Sequence, residues 1–77
     1  MVKKRKPSKD EIISFLCTEL NVNGDASTKI SSLDLSGLDD MIICGLAEFS
    51  YGVMLSEGVF ERNKTLGDVA DEILNCF

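Results

Sequence analysis

The chain of 77 residues contains no histidine. A serine or cysteine nucleophile activated by an imidazole is therefore excluded, and acid–base work would fall to carboxylates. One proline and five aromatic residues, four Phe and one Tyr, are present. The three cysteines, Cys17, Cys44 and Cys76, are odd in number and widely spaced. They form no C-x-x-C pair, which argues against zinc and against a disulfide framework. Each lies in an apolar helical stretch and reads as a small buried hydrophobe. Reduced thiols and no signal peptide fit a cytoplasmic setting. No apolar run reaches membrane-spanning length, and no internal repeat is visible. At this length one small domain is expected, without room for a deep multilayer active site.

The hydrophobic share of 44% is that of a folded domain. The net charge of −5 is unevenly placed. Lys3, Lys4, Arg5, Lys6 and Lys9 hold five of the eight basic residues, and all thirteen acidic ones lie from Asp10 onward. The body from residue 10 thus carries three basic against thirteen acidic residues, a net −10. Such a body repels nucleic-acid phosphate and suits basic protein partners. Residues 1–7 read as a flexible basic tail and 8–77 as the folded domain.

Along the chain, Ser8 and Glu11 form a Ser-x-x-Glu capping box that opens a helix. Ile12, Ile13, Leu16 and Leu20 recur at helical spacing with Phe15 beside them, and Asn21 to Gly24 is a stop. Residues 25–35 read as a loop anchored by Ile30, Leu33 and Leu35. Ser36, with Asp39 three residues on, caps a second helix expected over 37–49. Leu38, Ile42, Leu46 and Phe49 form its main stripe. Met41, Ile43, Cys44 and Ala47 make it apolar almost all round, so most of it should be core and the rest a contact surface. Gly45 weakens this helix, and its missing side chain would allow close packing or a narrow channel. Ser56 opens a short helix ending near Arg62. Thr65, with Asp68, opens the last helix, where Leu66, Val69, Ala70, Ile73, Leu74 and Phe77 give the strongest periodicity. The expected core includes Phe15, Leu16, Ile42, Leu46, Phe49, Val69, Ile73 and Leu74.

No catalytic constellation is visible, so the chain does not read as an enzyme. Asp34, Asp39 and Asp40 lack EF-hand spacing and read as solvated carboxylates, not as a metal site. Asp39 and Asp40 complement the dipole at the helix start. Ser36, at a helix start beside acids and without a base, is a weak nucleophile of its own and a good target for another enzyme.

Leu33-Asp34-Leu35-Ser36-Gly37-Leu38-Asp39 resembles the loop Leu-Gly-x-Asp-Ser-Leu-Asp that leads into the second helix of acyl carrier proteins. Leu20-Asn21-Val22, Phe49-x-x-x-Val53 and Thr65-Leu66-Gly67-Asp68-Val69 resemble that family's other helix junctions, so the similarity covers about residues 9 to 77. The resemblance implies an all-α bundle of three main helices plus one short one. It also implies a serine carrying a 4′-phosphopantetheine arm, which shuttles acyl or aminoacyl groups in fatty acid or polyketide biosynthesis. Strict matching sets Gly37 opposite the family's serine and Ser36 opposite its aspartate. Ser36 is the nearest hydroxyl and the candidate attachment site, with Gly37 allowing the backbone an unusual turn. Asp39, Asp40, Ile42, Ile43 and Glu48 are the candidate partner surface. The implied partners are a phosphopantetheinyl transferase and acyl-transferring enzymes with basic surfaces, met by a monomer without nucleic acid or membrane. The other reading is a carrier-like binding module that never receives the arm.

Overall fold

The computed structural model describes residues 6–77. Of the expected basic tail, Met1 to Arg5 lie outside the described residues. Pro7, expected in that tail, is buried with the domain.

The fold is an all-α bundle of three longer helices and one short one. Helix α1 spans Lys9–Leu20, α2 Gly37–Tyr51, α3 Val59–Arg62 and α4 Leu66–Leu74. Each long helix starts on its predicted cap. Ser8 Oγ accepts from the Glu11 amide, and Thr65 and Asp68 exchange side-chain and backbone bonds in a full capping box. Helix α1 stops at Asn21, which takes a left-handed conformation with φ 57°, a role Asn tolerates well. Among the described residues no helix is long and apolar enough to cross a membrane.

Helix α4 packs along α1, and α2 lies against α1. Ile12, Leu16, Ile43, Val53, Val59, Leu66, Val69 and Ile73 are fully buried between these elements. Each such side chain contributes about 1.5–3 kcal/mol by leaving water. Leu16, Val69 and Ile73 take their predicted core places, while Phe15, Leu46 and Leu74 are half-buried.

Two expected core residues are not in the core. Ile42 is 44% exposed and Phe49 82% exposed. Helix α2 turns Asp40, Ile43 and Ala47 inward, so Leu38, Ile42 and Phe49 of the stripe read as its core face point outward, while Leu46 is half-buried. A helix apolar on most faces leaves its own rotation undetermined, and neighbouring elements decide it. Gly45 also faces open space, with nothing within 4 Å of where a Cβ would stand, so it serves neither close packing nor a channel. The helix runs two residues past the expected end. Tyr51 is held there by edge-on ring contacts to Phe15 and Phe77, with centroids 5.2 and 6.3 Å away. Gly52 then closes the helix at φ 69°.

The long loop is pinned. A 3-10 turn, Ile30–Ser32, buries Ile30, and Lys29 bridges Thr65. The first amides of α4 lack partners within their own helix. Here Leu66 donates to the Thr28 carbonyl at 3.0 Å and Gly67 to the Ala26 carbonyl at 2.9 Å. A Cβ at Gly67 would stand 2.7 Å from that Ala26 oxygen, which explains the glycine.

Candidate functional site

The start of α2 gathers the functional candidates. Ser36 is the N-cap residue, with extended backbone and an exposed side chain. Its hydroxyl donates to Asp39 Oδ2 at 3.1 Å and accepts from the Asp39 amide at 3.3 Å. Its own amide donates to the same carboxylate oxygen at 2.9 Å. Gly37 is the first helical residue, and nothing lies within 4 Å of its would-be Cβ. The unusual backbone falls at Asp34, with φ 52°, and not at Gly37. The short polar side chain of an Asp lowers the cost of that conformation.

A groove of about 570 Å³ opens beside Ser36. It is lined by the Ile30 turn, Leu35 and Met41 together with Gly58, Phe60 and Glu61 of the α3 region. Asp34 and Glu57 also line it, so the groove is apolar in part and acidic in charge.

Asp40 belongs to the framework. It is 7% exposed, because α2 turns it toward α3. Its Oδ1 accepts from the Gly58 amide at 3.0 Å and its Oδ2 from the Phe60 amide at 3.1 Å. Both oxygens are thus committed inside the fold, and the expectation of a solvated, partner-facing Asp40 is corrected. Ile43, also expected at the partner surface, is fully buried and touches none. Of the remaining candidates, Ile42 and Glu48 are exposed and Asp39 is half-buried in the capping box.

The outward face of α2 supplies residues that the sequence reading left out of the partner set. Leu38 is 65% exposed and Met41 57%, and Phe49 stands at the far end of the helix. Met54, just past Gly52, is 81% exposed. With Ile42 these make five large exposed apolar side chains between residues 38 and 54, a surface that water solvates poorly. The signal is the helical spacing of Leu38, Ile42 and Phe49, a stripe that reads as core in the sequence and faces outward in the structure.

The three cysteines are half-buried and not fully enclosed. Cys44 Sγ lies 3.8 Å from Asp40 Oδ1 and 3.7 Å from the Ser56 carbonyl. Burial, with the Asp40 charge behind it, pushes the Cys44 thiol up from its ordinary pKa and makes it a poor nucleophile. Arg62 forms a two-point ion pair with Glu72, with its shortest contact at 2.6 Å, and donates to the Ser56 and Glu57 carbonyls. These bonds hold the Glu72 carboxyl below its ordinary value.

Comparison with protein-family models, with curated proteins and with solved structures finds no match to this chain.

Proposed function

We propose that this protein is an acyl-carrier-type module, not itself an enzyme. It presents Ser36 for a 4′-phosphopantetheine arm and docks its partners through the outward face of α2. The observation that carries this reading is the exposed apolar row of Leu38, Met41, Ile42 and Phe49, which begins two residues from the exposed Ser36. The partners are a phosphopantetheinyl transferase and acyl-transferring enzymes, cytoplasmic and basic at the contact. Glu48 on the helix and the net negative body supply the complementary charge.

The residues present fit the group. Ser36 is exposed, and the space beside Gly37 is open. Esterification removes the hydroxyl proton and its bond to Asp39, while Oγ still accepts from the Asp39 amide. The positive end of the α2 dipole favours a phosphate there. When bound, the arm supplies a terminal thiol that holds an acyl group as a thioester.

One observation favours the second reading, an unmodified docking module. Gly37 occupies the first helical position without a hydroxyl, and the Ser36 hydroxyl is closed into the capping box. Intact-mass measurement after incubation with coenzyme A and a broad-specificity transferase separates the two. A phosphopantetheine increment that vanishes in Ser36→Ala is the expected result. A folded chain that gains no mass with several transferases overturns the carrier reading and leaves the docking module.

A further inference from the structure

The outward face of α2 has no cover within its own chain. Leu38, Met41, Ile42 and Phe49 are 65%, 57%, 44% and 82% exposed. At about 3.6 residues per turn they fall within about 100° of the helix circumference. Gly45 lies at the centre of that arc, with nothing beyond its own helix within 4 Å of a would-be Cβ. It leaves a notch between Met41 and Phe49, which flank it at equal spacing on either side.

The strip carries little charge. Helix α2 has no basic residue, Asp39 is tied into the cap and Asp40 is buried, which leaves Glu48 on the rim as its exposed acid. Its order is also self-complementary. A two-fold axis at Gly45 runs two copies of α2 antiparallel and sets Met41 of each level with Phe49 of the other, a thioether beside an aromatic ring. The two glycines meet on the axis, where backbones without side chains approach closely. At these exposures the four side chains carry roughly 500 Å² of apolar surface, so a pair of copies buries about 1,000 Å².

We propose that α2 is the seam of an antiparallel homodimer with its two-fold axis at Gly45. An interface of that size supports a reversible dimer with a Kd on the order of 10–100 μM. The monomer expected from the sequence is its dilute form. Two chains of net charge −5 repel each other, so the dimer tightens as salt screens them. A basic enzyme on the same face would instead bind more weakly in salt. Dimerisation withholds the apolar row from such an enzyme. That consequence rests on the carrier reading and the dimer does not, so the unmodified chain tests it.

The experiment is sedimentation equilibrium over concentrations that bracket the expected Kd. Raising salt from about 20 to about 200 mM should tighten the dimer severalfold. Gly45→Gln sets a side chain on the axis, in space its own fold leaves open, and should weaken the dimer about tenfold or more. Met41→Lys and Phe49→Glu should each do the same. An equimolar mixture of those two should associate again, because the mixed pair keeps one Met41–Phe49 contact and sets the new ammonium level with the new carboxylate. Circular dichroism checks that each variant keeps its helices. A chain that is monomeric throughout overturns the proposal and leaves the face to another protein. A dimer untouched by Gly45→Gln, one that weakens with salt, or a mixture no more associated than its components overturns it too.

Discussion

Ile42→Ala and Ile43→Ala are the same chemical change at adjacent positions, and the structure assigns them opposite consequences. Ile43 is fully buried beneath α2, whereas Ile42 is 44% exposed on its outer side. Truncation at Ile43 removes three buried carbons, about 2.4 kcal/mol at roughly 0.8 kcal/mol each. The cavity left behind brings the total to about 2–5 kcal/mol. At Ile42 about half of that transfer energy is at stake and water fills the gap, so the cost is about 1 kcal/mol. A domain of this size has about 4–12 kcal/mol in all, so Ile43→Ala removes a large part of it. Urea unfolding, followed by circular dichroism, reads both as midpoint shifts at constant slope. Binding to a carrier-dependent enzyme should show the reverse order, with Ile42→Ala weakening it and Ile43→Ala not. An Ile42→Ala variant as unstable as Ile43→Ala would mean that α2 is rotated from the orientation described, and the docking face would fall with it.

Gly45→Ala should raise stability by up to about 1 kcal/mol, because Gly45 sits in open space within a helix; a lower urea midpoint would contradict that placement. Gly67→Ala should lower it, since the new methyl meets the Ala26 carbonyl, and thermal unfolding compares the two variants directly. Glu72 is held below its ordinary value of 4.5, chiefly by its hydrogen bonds from Arg62. A carboxyl depressed in the folded state stabilises above its unfolded pKa, and that stability drains away as pH falls through the folded one. Glu72→Gln should therefore flatten the loss of stability below about pH 4.5, and an unchanged acid limb would refute the pairing.

The caps of this fold were readable because capping is local. Ser8, Ser36 and Thr65 each sit within three residues of the group they satisfy. The amphipathic α4 was readable for the same reason, with one apolar face and no competing one. The rotation of α2 was not, because apolar residues surround it and the choice of face is made by α1 and α3. Asp40 was the hardest residue to place. In the sequence it is one more acid in a helix's first turn, and its partners stand 18 and 20 residues away. The short helix began later than expected for a related reason: its cap comes from Asp40 and not from Ser56. In the candidate site, the position of Ser36 followed from the sequence, while the outward apolar row emerged only once the core had claimed Ile43 and Ala47.

The packing of α1 on α4 sets the order in which this chain can fold during synthesis. Ile12 and Leu16 are made well before α4, the helix that covers them. The α1–α2 pair cannot enclose those side chains without Val69 and Ile73. Closing so long a stretch of chain costs entropy before any burial repays it. A chain truncated before Leu66 should thus leave Ile12 and Leu16 uncovered, and cooperative folding should require α4.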